Sequence, residues 1–391
     1  MPCRIKAEFD WEVIHGFVPT FSVGKKWVDS QAKLVFNSLV TKLDERTREA
    51  MRSAGAAEAT RLDPSIGEPI PHPNRQIQFI RDIHAARRGS GRPVISFEFF
   101  PPKTGEGERA LFDKTMPALC ELNPDFCSVT YGAGGITREG TLRIVDRIQR
   151  EHGVTAMAHL TCVNATREEI GEVLAEARAR GIANILALRG DPPVGEGEFR
   201  KIEGGFEFSW ELVAYLRDLG GFCIGTAGFP EGHIACREGK HVDWNRLKSK
   251  IDCGADFVLT QLFFENADFL EFRDYVAEKL AVAVPICPGV LPILSTAQIK
   301  RFTALCGARL PARLQSRLEA LGSDDTAVAK LGVEYATKQC EELVRAGVPG
   351  LHFYTLNKAE STSRILHNLG LTRPRDATPA RCDARGWDEP Q

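Results

Sequence analysis

The feature that most constrains this chain is an alternation that starts at Val94: a short apolar run, then a longer stretch of helical period, eight times over. The runs are VISFEFF (94–100), DFCSVTYG (125–132), TAMAHLTC (155–162), NILALRG (184–190), FCIGTAGF (222–229), DFVLTQLFF (256–264), VPICPGVL (284–291) and GLHFYTL (350–356). Between them REGTLRIVDRIQREHG, TREEIGEVLAEARARG and DDTAVAKLGVEYATKQCEELVRAG read as helices, and Gly153, Gly181, Gly254 and Gly347 stand where helices close in a left-handed turn. Strands alternating with helices pair in parallel, and nearly continuous apolar strands belong to a sheet covered on both faces. Eight such units fit an α/β fold of the (β/α)8 TIM-barrel type in number and length. An open doubly wound sheet is the competing architecture. It would place G-x-G-x-x-G after its first strand, where this chain has FFPPKTGEG, and the cluster Gly132-Ala133-Gly134-Gly135 lacks that spacing. The segment from Leu310 to Asp325 reads as an added helix near the active face.

The chain divides into an N-terminal extension (1–75), the barrel (76–371) and a polar tail (372–391). The extension holds one amphipathic pattern (Leu34, Val35, Leu39, Val40, Leu43) and then four prolines between Pro64 and Pro73, a density that blocks helix and ladder alike and reads as a linker or wrapping arm. Lys plus Arg number 50 and Asp plus Glu 52, so nucleic acid and anionic membranes are not expected partners. No apolar run is long enough to span a bilayer. Glu8, Asp10 and Glu12 interrupt the start of the chain, where a secretory signal would be apolar. The eleven cysteines are scattered and never form C-x-x-C. A reducing compartment, the cytoplasm, is therefore expected, without disulfides or structural zinc.

Barrel enzymes carry their chemistry at the carboxyl ends of the strands, and uncommon residues gather there. Glu98 sits among Phe97, Phe99 and Phe100. Thr130-Tyr131 ends the second run, His159 and Thr161 lie in the third, and Arg189-Gly190-Asp191 ends the fourth. Phe229 to His233 follows the fifth, Gln261 lies in the sixth, and Tyr354 to Asn357 ends the eighth. A carboxyl walled by phenylalanines is held protonated near neutrality, as a general acid requires. His159 taken alone is equally well a hydrogen-bonded core histidine. Gly190 would let a ligand approach the backbone, with Arg189 and Asp191 engaging opposite ends of a polar heterocycle. The aromatics Tyr131, Phe229, Phe263 and Tyr354 suit a flat ligand. No H-x-H, no H-E-x-x-H and no strand lysine placed for a Schiff base is present, which leaves cofactor chemistry without a metal.

The motifs FEFFPPKT, VTYGAGG, AHLTC, ALRGDPP, GFPEGH, LKSKIDCGAD, TQLFF and HFYTLNKAE, in this order between Val94 and Leu371, resemble methylenetetrahydrofolate reductase. EGGF (203–206) and VPGLHFYTLN lie nearer its eukaryotic branch. The resemblance implies a cytoplasmic flavoprotein of one-carbon and methionine metabolism, a homo-oligomer. Its FAD would be reduced by NADH or NADPH and would then reduce 5,10-methylenetetrahydrofolate to 5-methyltetrahydrofolate by ping-pong exchange. It implies that Glu98 is the general acid that opens the folate's five-membered ring. Asp191 would lie near both pterin and flavin. Thr130, Tyr131, Ala133, His159, Leu188, Arg189, Gly190, Phe229, His233, Asp243 and Lys250 match flavin positions. Gln261, Gln298, Phe302, Tyr354 and Lys358 match folate or nicotinamide positions.

Some positions depart from the family pattern. Phe229 stands for the usual Tyr, and Lys358 for an Arg, a point charge in place of a fork. Arg246 and Ser249 stand where bacterial members have Asn and Arg near the FAD phosphates. The tail ends where eukaryotic members continue into a domain that senses S-adenosylmethionine, so feedback by that route is not expected. Two rival readings remain: a catalytically silent barrel serving as a binding or scaffold module, and a cofactor-free lyase or isomerase with Glu98 as base.

Overall fold

A computed structural model describes residues 77–131, 138–191 and 199–372. The extension's expected helix, its proline-rich segment and the tail beyond 372 lie outside the described residues. All eight apolar runs are strands: β1 (Val94–Phe99), β2 (Phe126–Val129), β3 (Ala156–Thr161), β4 (Asn184–Leu188), β5 (Cys223–Gly228), β6 (Phe257–Leu262), β7 (Ile286–Val290) and β8 (Gly350–Tyr354). They run parallel in chain order and β8 closes on β1. Around them lie α1 (Ile80–Arg87), α2 (Gly105–Ala110), α3 (Met116–Cys120), α4 (Arg138–His152), α5 (Arg167–Ala179) and α6 (Ser209–Leu219). The ring continues with α7 (Lys240–Asp252), α8 (Asn266–Asp274), α9 (Thr296–Cys306), α10 (Ala312–Leu321), α11 (Asp325–Arg345) and α12 (Glu360–Asn368). The four helix-closing glycines all have positive φ.

Side chains alternate across each strand, and the alternation sorts the barrel into two cores. Outward residues of β1 (Ile95, Phe97, Phe99) join Val129, Ile148, Leu351 and Ile365 in the layer between sheet and helices. Inward residues (Val94, Phe126, Met157, Leu186, Phe257, Cys287) fill the base. The base is closed by α1, which the apolar alternation did not foretell. Phe79, Ile80 and Ile83 plug into the inner core. The backbone N–H of Ile80 donates to Asn184 Oδ1 (2.9 Å), that of Gln78 to Thr155 Oγ1 (3.1 Å), and Asn184 Nδ2 donates to the Gln78 carbonyl (3.0 Å). Residues 77–87 therefore belong to the barrel.

At the other end, α10 is the helix expected in the Leu310–Asp325 segment. Its Leu314 and Leu318 pack with Leu262, Phe264, Leu291 and Ile293 at the carboxyl ends of β6 and β7. Between those two strands the register shifts from Leu259 to Leu262. Pro288 lies in β7 and has no N–H to give a ladder. The Gly289 N–H donates instead to Thr260 Oγ1 (3.0 Å), and the Thr260 carbonyl accepts from the Tyr354 hydroxyl (2.7 Å). Bulges of this kind re-aim side chains next to functional sites, and here the residue beside the irregularity is Gln261.

Ile80 is fully buried in the plug, so Ile80→Ala is expected to cost about 2–5 kcal/mol of stability, read by urea unfolding. A loss below about 0.5 kcal/mol, the scale of a surface substitution, would mean that the plug is not part of the folded unit.

Candidate active site

The closing seam of the barrel sets the site. Ser96 pairs with His352 and Glu98 with Tyr354 across β1 and β8, so four polar residues at alternate positions face inward together. His352 Nδ1 lies 2.8 Å from Ser96 Oγ, and His352 Nε2 lies 3.2 Å from Glu98 Oε2. The Ser96 hydroxyl can also donate to the Leu351 carbonyl at 3.5 Å. The chain therefore serves either charge state of Glu98. With the Ser96 proton on Nδ1 as acceptor, Nε2–H donates to a carboxylate. With the Ser96 proton turned to Leu351, Nδ1–H donates to Ser96 and Nε2 accepts from a carboxylic acid.

His159, from β3, brings its Nε2 to 3.4 Å from the same Glu98 oxygen, but off hydrogen-bonding angle, so this buried nitrogen has no partner among the described residues. Burial pushes His159 down to about 4 against the pull of Glu98, with His352 adding to the fall. It is neutral at pH 7. Tyr354, its ring edge-on to His352 at 5.4 Å, is held well above the usual phenol range by burial and by Glu98.

Two of the three phenylalanines expected to wall Glu98 do not do so. Phe97 and Phe99 are the neighbours of Glu98 in sequence, and for that reason they point to the opposite face of β1, into the helix layer. The neighbours of the carboxyl are two imidazoles and a phenol. Ser96 and His352 are the functional residues that sequence reasoning missed. The signal was present: polar residues at i and i+2 in both SFEF and LHFY share one strand face.

A second group lines the lip across the mouth. Lys250, from α7, donates to the Ala227 carbonyl (2.7 Å) and lies 5.9 Å from the centre of the Phe229 ring. Burial pushes it down to about 8, Asp243 pulls it up, and Arg189 lowers it further. His233 stands edge-on to Phe229 at 4.6 Å and accepts at Nδ1 from the Ala235 N–H (3.0 Å). Burial lowers its pKa, with Asp243 opposing. The Asp243 carboxyl is raised by burial, which Lys250 and His233 counter. Arg189 holds its guanidinium 5.2 Å from the Phe199 ring centre, and Asp191 is exposed at the rim. Gly190 has φ +88°, and a Cβ there would meet Val163 and Thr161 side-chain atoms at 2.9 and 3.0 Å, so glycine alone fits this turn. Leu188 ends β4, half-buried over the inner core.

The remaining expected residues divide. Thr130 is buried at the end of β2 and its hydroxyl, like that of Thr161, has no partner among the described residues. Tyr131 follows it, half-buried, and Ala133 lies outside the described residues. Gln261 faces the mouth, its Oε1 accepting from the Leu262 N–H at 2.9 Å. Gln298 is first a helix cap. Its Oε1 accepts from the Leu294 N–H (2.7 Å) and its backbone N–H donates to Ser295 Oγ (3.1 Å), leaving only a buried, unpartnered Nε2. Phe302 packs half-buried on Leu262 and Leu291, and Lys358 is exposed past β8. Among the described residues no cluster of three metal-ligating side chains exists, and no helix is long and apolar enough to cross a membrane. No disulfide joins any of the nine described cysteines.

The site is a closed (β/α)8 barrel with a carboxyl seated between imidazoles and a cationic aromatic lip at its carboxyl mouth. The sequence comparisons narrow this. The profile of the family described as methylenetetrahydrofolate reductase matches residues 82–370. The chain is 41% identical over 291 residues to methylenetetrahydrofolate reductase (NADH) 1 of Arabidopsis thaliana, covering 72% of this chain and 49% of that protein. It is 36% identical over 281 residues to 5,10-methylenetetrahydrofolate reductase of Salmonella typhimurium, covering 72% of this chain and 92% of that protein. The chain belongs to the methylenetetrahydrofolate reductase family. It spans about half the length of its plant relatives and nearly all of its bacterial ones.

Both His159 and His84, which is buried in the base beside Cys287 Sγ (3.5 Å), are held at about 4 against an ordinary 6.5. Between those values the unfolded chain binds protons that the native chain does not. Their stabilising effect is therefore complete above about pH 6.5 and is lost as pH falls toward about 4, by at most about 1.4 kcal/mol per pH unit for each histidine. Urea unfolding at pH 5 and pH 7 is expected to show the lower stability at pH 5. A profile flat or rising toward acid would contradict the two neutral, buried imidazoles.

Proposed function

We propose that this chain reduces 5,10-methylenetetrahydrofolate to 5-methyltetrahydrofolate, with FAD as resident cofactor and NADH as reductant, in the reducing environment that free cysteines favour. The observation that carries the reading is the seat of Glu98: a buried carboxyl with one oxygen between two imidazole nitrogens, at the carboxyl mouth of a barrel of this family. NADH is the reductant in the names of the plant relatives.

The residues fit the cofactor. The unpartnered hydroxyls of Thr130 and Thr161 and the His159 Nε2 offer hydrogen bonds to the polar edge of a flavin ring. Lys250 and Arg189 offer positive charge to a diphosphate, His233, with Nδ1 accepting from Ala235, offers its Nε2–H, and Phe229 offers an apolar face. FAD supplies a carrier that accepts a hydride from NADH and passes one to the folate. The protein supplies the rest. Glu98 holds the proton for the folate nitrogen that leaves when the imidazolidine ring opens, and the Ser96–His352 pair stabilises Glu98 before and after that transfer. Asp191 at the rim and Gln261 at the re-aimed end of β6 orient the pterin, and Tyr354, fixed by its bond to the Thr260 carbonyl, walls the pocket.

The purified chain is expected to be yellow, with stoichiometric FAD. Glu98→Gln should keep FAD and its reduction by NADH while losing about 10²–10⁴-fold in folate reduction, the span of general acid catalysis. Stopped-flow measurement of each half-reaction reads this, and equal loss in both would contradict the assigned proton donor. A preparation that stays colourless when FAD is added would overturn the reading and favour a silent scaffold. FAD affinity should fall as pH rises through about 8, where Lys250 loses its proton before the diphosphate arrives. Fluorescence titration between pH 7 and 9.5 tests this, and affinity independent of pH would remove Lys250 from the diphosphate.

A further inference from the structure

Two loops and a helix start at the carboxyl mouth are fastened by one arginine that the family resemblance does not use. Arg309 lies just past the end of α9. Its backbone N–H donates to both Glu231 oxygens (3.2 and 3.2 Å), its Nε to Glu231 Oε1 (2.8 Å), and its Nη2 to both Asp268 oxygens (2.7 and 2.8 Å). Glu231 stands in the β5–α7 loop between Phe229 and His233. Asp268 lies in the first turn of α8, after the strand that carries Gln261. The helix that ends before Arg309 carries Phe302.

The two carboxylates are sunk and the cation covers them: the side chains are 13% and 14% exposed, and that of Arg309 is 70% exposed. Burial pushes the Glu231 carboxyl up, Asp268 adds to the rise, and Arg309 opposes both. Without the guanidinium, two half-sunk acids would face each other across the junction. A second contact marks the same joint. Gly307 ends α9 with φ +77°, and a Cβ there would stand 3.2 Å from three Ile234 side-chain atoms, so the helix end rests closely on the β5 loop. Beneath the joint a narrow crevice of about 10 Å³ lies between Phe229, Gln261 and Cys306.

We propose that Arg309 is a positioning residue that docks the end of α9 on the β5–α7 loop and thereby fixes the distance between Phe229 on that loop and Gln261 at the end of β6, and with it the fit of the folate and nicotinamide that bind there in turn. The proposal rests on the flavoenzyme reading above. A planar fork that engages two carboxylates at once holds geometry in a way a point charge does not. Ion pairs at this exposure contribute little to global stability. The consequence of losing this one falls on the local joint, not on the barrel.

The test is steady-state kinetics of the FAD-loaded enzyme carrying Arg309→Met. KM for methylenetetrahydrofolate and for NADH is expected to rise about fivefold or more, with kcat per bound FAD within about twofold, the signature of lost uniform binding. Arg309→Lys, which can reach one carboxylate but not both, should fall between. A lower kcat at unchanged KM, the sign of a smaller active fraction, would overturn the proposal. Should Arg309→Met fail to fold, Asp268→Asn opens one half of the joint and must show the same split between KM and kcat. Wild-type protein that binds no FAD and reduces no folate overturns the flavoenzyme reading and this role with it. Wild-type turnover with unchanged KM in the variants overturns the role of Arg309 alone.

Discussion

The pairing of β8 with β1 is the constraint on which the rest depends. Closure of the barrel at that seam is what brings Ser96, His352 and Glu98 into one hydrogen-bonded line, because the register sets Ser96 against His352 and Glu98 against Tyr354. The seam is also reinforced above the carboxyl. Thr355 Oγ1 donates to the Glu98 carbonyl (2.7 Å), while Asn357 accepts from the Phe100 N–H (2.9 Å) and donates to its carbonyl (2.7 Å). Leu356 and Asn357 hold φ of +52° and +56° to make that turn. A bulky residue in the left-handed region is strained, and here the strain lies within a few residues of the carboxyl.

The two ends of the barrel are built on different principles. The base is filled mostly by apolar side chains, with Asn184 and Thr155 satisfying the backbone that enters it and a single buried nitrogen, His84 Nδ1, left unpartnered there among the described residues. The mouth leaves several buried donors without protein partners and lowers the pKa of a lysine. Unpaired buried polar atoms cost stability, and a mouth arranged in that way suits a ligand that supplies the missing acceptors. The base carries the stability and the mouth carries the recognition.

Much of this was legible in the sequence, for identifiable reasons. Eight apolar runs separated by helical patterns leave little choice of architecture, and each run proved to be a strand. Glu98, His159 and Tyr354 could be placed at the mouth because strand ends could be located. What could not be read was depth and facing. Phe97 and Phe99 look like walls of Glu98 in one dimension and are its back-to-back neighbours in three. That the Gln298 oxygen also caps α9, with its Nε2 left over, is not visible in the sequence. The α1 plug was missed because eight residues carrying three apolar anchors give a weak periodic signal, and their burial depends on partners such as Asn184, about a hundred positions away. Arg309, finally, is one of many surface arginines until the β5–α7 loop and the first turn of α8 are folded against it.

The stopper formed by Phe79, Ile80 and Ile83 completes an interior that is solid from its foot upward. A barrel filled in this way is a pedestal and not a pipe, and anything that meets Glu98 does so from above, over the rim.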